Sequence, residues 1–183
     1  MPHVELNPNL PGITALFDRF SDHGSVLSEL AERLLRGPSK LSQTQRELIA
    51  AAVSRQNDCL FCCESHAAAA RASGSSEDQV LIDATLPEGA VDPTAHPDLK
   101  LRSLLEIALA TAKGGQQVTS SLVEAARKHG ADDTEIHDAI LIAAAFCMFN
   151  RYVDGHATVA PERGAAAYVG MGQRLANQGY IRA

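Results

Sequence analysis

Two thiols and an imidazole stand at positions i, i+3 and i+7 of the segment Asp58-Cys59-Leu60-Phe61-Cys62-Cys63-Glu64-Ser65-His66, a spacing that puts Cys59, Cys62 and His66 on one face of a helix. Three of the chain's four cysteines fall within five positions there, and a cluster in a reducing compartment points to chemistry more often than to a permanent staple. Residues three apart in a helix have Cα atoms roughly 5 Å apart, inside the range a disulfide tolerates, so this pair can be oxidised without unfolding the helix. With Asp58 as N-cap, Cys59 takes the first helical position and Cys62 the fourth, where the helix dipole favours a thiolate. His66, one turn beyond Cys62, is placed to accept or relay its proton. A deprotonated thiol attacks a peroxide oxygen, becomes a sulfenic acid and is resolved by its neighbour as a disulfide. Two other readings compete. The thiols can serve as small packing groups, or Cys59, Cys62 or Cys63, and His66 can bind zinc, although structural zinc usually takes a second ligand pair from a distant segment and no such pair appears.

The elements that must hold this cluster read as helices. Nearly every periodic segment has the helical repeat, and none sustains two-residue alternation, so the fold class expected is all-α. An N-terminal arm carrying Ile13, Leu16, Phe17, Phe20, Leu27, Leu30 and Leu34 stops at Gly37-Pro38. Ser42-Gln43-Thr44-Gln45 has the form of a capping box and opens a helix through about Arg55. The Cys helix follows, running through the Ala67 to Ala70 tract to Gly74, and a short helix over Ser76 to Asp83 leads into a connector with Pro87, Pro93 and Pro97. The pattern restarts at Leu99, breaks at Gly114-Gly115, and resumes from Ser120 to His129. Asp132-Asp133 caps a long helix, Ile136 through Val153, and Pro161 starts a final one. Each half carries a helix pair around a long Ala-rich helix, which hints at an internal duplication. The division expected is one domain over 1–183: an arm (1–40), the CxxC-bearing half (41–97), a second half (98–160) and a C-terminal helix (161–183).

Composition narrows the partners. The 183 residues suit one compact domain with a sizeable core. At 45% hydrophobic, 4% aromatic and no Trp, that core is built from small aliphatic side chains that favour close helix packing. A formal net charge of -6 leaves no basic footprint, so no nucleic-acid or anionic membrane partner is expected. The start Met1-Pro2-His3-Val4-Glu5 lacks a signal peptide's basic and apolar regions, and no stretch approaches ~20 uninterrupted apolar residues, which leads us to expect a cytoplasmic protein.

With Glu47 added, the pattern becomes Glu47, eleven residues, Cys59-x-x-Cys62, three residues, His66. This resembles the alkyl hydroperoxidase D (AhpD)-like, carboxymuconolactone decarboxylase superfamily, specifically its peroxidase-related branch. Leu41-Ser42-Gln43-Thr44-Gln45-Arg46-Glu47-Leu48-Ile49-Ala50 looks like the family's helix before the motif, and Phe149-Asn150-Arg151-Tyr152-Val153-Asp154-Gly155 looks like the Asn-Arg segment of that branch. The resemblance implies an AhpD-like helical fold, a homo-oligomer and reduction of hydroperoxides. By position it makes Cys62 the peroxidatic thiol, Cys59 the resolving thiol or proton donor, and His66 with Glu47 a proton relay. No cofactor is implied beyond the redox-active Cys59-Cys62 disulfide, which an external dithiol of lipoyl or thioredoxin type would reduce. The chain departs from AhpD at Phe61, where AhpD carries a histidine, and at Cys63, which either competes for the disulfide or packs as a small hydrophobe.

Two alternatives lie outside peroxide chemistry. One is a decarboxylase-like lyase acting on a lactone acid without a redox step, the other a zinc-binding or redox-sensing helical module. Asn150 and Arg151 read as structural, the arginine needing a carboxylate partner that either Asp154 supplies locally or a subunit contact provides. Cys147 reads as packing.

Overall fold

The computed structural model describes residues 1–181. Among them the regular structure is helical: α1 (Ile13–Arg19), α2 (Ser21–Arg36), α3 (Gln43–Gln56), α4 (Leu60–Ser73), α5 (Ser76–Thr85), α6 (Leu99–Lys113), α7 (Ser120–Lys128), α8 (Asp133–Gly155) and α9 (Ala166–Gln178), with short 3₁₀ turns at Pro93–Ala95 and Gly115–Gln117. The all-α expectation holds. Several starts follow the side-chain chemistry expected of them. Ser42 and Gln45 form a complete capping box on α3, and Asp132 and Glu135 form another on α8.

α3 sits at the centre and packs against α4, α6 and α8, while α9 lies along α4 and α7 leans on α6. Every residue of α3 from Arg46 to Ser54 is buried, which is what a helix without a polar face requires. Two charges travel into the interior with it. Arg46 is satisfied by the carbonyls of Leu34 and Gly37 at 3.2 and 2.9 Å, fastening the end of α2 to α3, and burial lowers its pKa. Glu47 belongs to the site below. α8, by length and composition alone, is apolar enough to cross a bilayer, with mean hydropathy 1.3 in its best window, yet half of that window is buried inside the protein.

Three boundaries differ from expectation. The N-terminal arm is two helices, broken at Phe20, whose φ of -122° and ψ of 62° are not helical. Asp58 is not an N-cap. It takes a left-handed φ of 58° and closes α3 in a Schellman turn, with the Cys59 amide donating to the Ser54 carbonyl at 3.0 Å and the Asp58 amide to the Arg55 carbonyl at 3.1 Å. A short polar side chain tolerates that conformation better than most residues. Cys59 is therefore the N-cap of α4 and Cys62 its third helical residue. The last helix starts at Ala166 rather than Pro161, because Gly164 adopts a φ of 71° that a helix from Pro161 cannot contain.

α9 approaches α4 through Gly172, where an added Cβ would lie 2.5 Å from the backbone carbon and oxygen of Ala68. Overpacking of that kind costs about 1–3 kcal/mol, more than the roughly 1 kcal/mol that Gly→Ala returns in helix propensity. Gly172→Ala is expected to lower the melting temperature; a rise on thermal denaturation would mean that the two helices can separate without loss.

Candidate active site

The α3–α4 turn carries the first thiol, and buried polar groups hold that turn. Asn150, on α8, donates to the Ser54 hydroxyl at 3.0 Å and accepts from the Asn57 side chain at 2.8 Å. Asn150 is thus the structural residue expected, joining α8 to the last turn of α3 and its C-cap. Arg151 is not. It is exposed and donates to the Cys147 carbonyl at 2.9 Å rather than to Asp154. Burial raises the Asp154 pKa, and the neighbouring Cys59 thiol opposes the rise.

Cys59 and Cys62 are both free thiols and are only 1% and 3% exposed. A hydrogen bond with Cys62, followed by burial, pushes the Cys59 thiol far up. Cys59 lies at the cap of α4 rather than at the first helical position expected.

On the next turn of α4, His66 meets Glu47 across the α3–α4 contact, with Nδ1 2.8 Å from the Glu47 Oε2. Glu47 is fully buried, so it is not the solvated residue that a glutamate usually is. With Nδ1 engaged by the carboxylate, Nε2 is the nitrogen left for proton transfer. Phe146 stands edge-on to the imidazole at 4.6 Å and 88°. Cys62, His66 and Phe61 face a cavity of about 70 Å³, otherwise lined largely by apolar side chains such as Phe17, Phe149 and Met171. Phe61 makes that wall apolar and packs near Tyr168 at 6.4 Å.

Cys63 does more than fill space. Its sulfur accepts a hydrogen bond from Arg55 Nε at 3.1 Å, and Arg55 also pairs with Glu64 at 3.5 Å. Burial raises the Cys63 pKa and the guanidinium opposes the rise. The zinc alternative finds no ligand set, because among the described residues no three His, Cys, Asp or Glu side chains are grouped to hold a metal ion.

One residue of the site has no counterpart in the motif. Tyr180, just past the end of α9, donates to Glu47 Oε1 at 2.5 Å and stacks on His66, with ring centroids 5.8 Å apart and 7° between planes. The only hint in the sequence is Gly179-Tyr180 at a helix end, a glycine C-cap followed by a residue that packs back on the helix bundle.

The family model for the carboxymuconolactone decarboxylase family matches the chain twice, over residues 22–86 and 84–160. The tandem match agrees with the internal duplication expected from the repeated helix pair, and its first copy spans Glu47, Cys59, Cys62 and His66. Among solved structures, the chain is similar to an uncharacterized peroxidase-related protein from Silicibacter sp. TM1040, at 26% identity and a TM-score of 0.72, over 87% of this chain and 79% of that one. It shares its fold with an alkylhydroperoxidase AhpD core, an uncharacterized peroxidase-related protein from Ralstonia eutropha JMP134, at 24% identity and a TM-score of 0.73, over 90% and 82% of the two chains. No curated protein matches the sequence. The repeated match, the helical fold and the peroxidase-related neighbours agree: this chain belongs to the carboxymuconolactone decarboxylase family.

Proposed function

We propose that the protein is a thiol-dependent hydroperoxide reductase. Support comes chiefly from one arrangement: of two buried thiols three residues apart, Cys62 shares a largely apolar cavity with a histidine whose Nδ1 is held by a buried carboxylate. In this proposal His66, oriented by Glu47, takes the Cys62 proton. The Cys62 thiolate attacks a hydroperoxide oxygen, the O–O bond breaks, the sulfur becomes a sulfenic acid, and the leaving oxygen collects a proton as an alcohol or water. Cys59 then attacks that sulfur, so the S–S bond forms and the sulfenic oxygen leaves as water after taking the Cys59 proton. An external dithiol of lipoyl or thioredoxin type supplies two electrons to reopen the disulfide. A cytoplasmic homo-oligomer is part of the same proposal. A decarboxylase reading leaves the hydrogen-bonded dithiol without a role.

Treatment of the folded protein with one equivalent of an organic hydroperoxide, followed by peptide mass spectrometry, is expected to find a Cys59–Cys62 disulfide that dithiothreitol reverses. A protein that consumes peroxide without this bond, or forms no bond at all, removes the dithiol from the mechanism.

A further inference from the structure

Tyr180 lies beyond both stretches matched by the family model, yet it is built into the site as firmly as the motif residues are. α9 ends at Gly179, whose φ of 79° turns the chain inward. An added Cβ there would lie 2.4 Å from Glu32 Oε2, so glycine is needed on two counts. Glu32 accepts the Tyr180 amide at 2.7 Å, and Arg36, paired with Glu32 at 3.4 Å, donates to the carbonyls of Leu175 and Ala176 at 2.9 and 2.7 Å. α2 thus clamps the end of α9 and delivers one phenol to the far side of Glu47. The hydroxyl is 2.5 Å from Glu47 Oε1 and 3.3 Å from His66 Nδ1.

We infer that Tyr180 is a positioning residue of the relay: its hydroxyl holds the second Glu47 oxygen and so aims the carboxylate at His66 Nδ1, which leaves Nε2 to take the Cys62 proton. The inference rests on the function proposed above. A fully buried carboxylate with a single partner tends to pick up a proton, and a second donor opposes this. Glu47 has two donors, His66 on one oxygen and Tyr180 on the other. Burial, and then the charge of Glu47, hold the Tyr180 pKa well above its usual value, so the phenol stays a donor throughout the working range. The other charged or titrating groups facing this trio are Glu32 and Arg36 from α2, Arg46 from α3, Cys62 from α4 and Arg174 from α9. From α8 the Phe146 ring stands against His66. Glu32 is neutralised by Arg36, which leaves Tyr180 as the neutral donor on the second Glu47 oxygen.

The sign follows from which state the hydroxyl favours. Without it, the state in which Glu47 is ionised and His66 carries a proton on Nδ1 alone is less stable, so the Glu47–His66 pair gives up its second proton, and Nε2 becomes a base for Cys62, only at higher pH. Alkylation of Cys62 by iodoacetamide, read across pH by peptide mass spectrometry, reports this without any peroxide. In Tyr180→Phe, which keeps the ring on His66, the alkylation midpoint is expected to rise by roughly one unit, since a hydrogen bond to an ionised group is worth about that much in titration. The rate near pH 7 falls roughly tenfold and recovers at alkaline pH. In Glu47→Gln the further change Tyr180→Phe moves the midpoint no more. Should Tyr180→Phe not fold, 3-fluorotyrosine at position 180, a stronger donor of nearly the same shape, is expected to lower the midpoint. A profile for Tyr180→Phe that superimposes on the native one, or a 3-fluorotyrosine profile that does not move, overturns the inference. Native hydroperoxide turnover with superimposed profiles leaves the peroxidase proposal standing, whereas a shifted profile in a protein that reduces no hydroperoxide rejects the peroxidase proposal and keeps the role of Tyr180.

Discussion

Cys62→Ser is expected to abolish hydroperoxide turnover, by about 10³-fold or more, while the helical circular dichroism spectrum and the cooperative melt persist. Of the two thiols, Cys62 lines the cavity that His66 also faces. A serine hydroxyl in its place stays protonated in the physiological range and is a far weaker nucleophile toward peroxide oxygen than a thiolate. The structural cost is small, because the hydroxyl is close to the thiol in size; a change within about 1 kcal/mol is expected. Steady-state turnover alongside thermal denaturation separates the two effects. A serine variant that keeps the native rate, in a protein still folded, would take Cys62 out of the chemistry and leave the buried dithiol as a packing feature.

Glu47→Ala is expected to act on stability and rate together. Glu47 is fully buried at the junction of α3 and α4 and accepts from both His66 and Tyr180. Its removal leaves two buried donors without a partner, each costing about 1–3 kcal/mol, so a loss of roughly 3 kcal/mol is expected by denaturant unfolding. Rate is isolated by Glu47→Gln, which keeps the volume and an acceptor for His66 but removes the charge. There kcat/KM is expected to fall about 10²-fold, the usual contribution of an oriented proton acceptor. Native turnover in Glu47→Gln would make the carboxylate a structural partner of Tyr180 and His66 and nothing more. If Glu47→Ala melted like the native protein, water would have to reach a place that the surrounding helices exclude.

Much of this site is local chemistry, and local chemistry is legible in a chain. The i, i+3, i+7 spacing of Cys59, Cys62 and His66 follows from helical geometry alone. The Ser42 capping box and the Asp132 cap mark helix starts because their side chains bond amides only three residues away. Asp58 shows where local reasoning fails. A cap before α4 and a left-handed closure after α3 both suit Asp, and the choice was made by the two Schellman hydrogen bonds to the end of α3. Pro161 fails similarly, since a proline permits a helix start without requiring one.

The sequence by itself determined the helical class, the repeated unit, the thiol pair and the position of the imidazole one turn beyond it. These depend on periodicity and short spacings that survive without knowledge of the partners. The tertiary structure alone decided that Glu47 is buried against His66, that Asn150 on α8 holds the end of α3, and that Tyr180 meets Glu47 from 133 residues away. Each of those depends on which faces of α2, α3, α4, α8 and α9 meet. Hydrogen bonds and desolvation act over a few ångströms in space, and a distance of that kind is written into a chain only once it has folded.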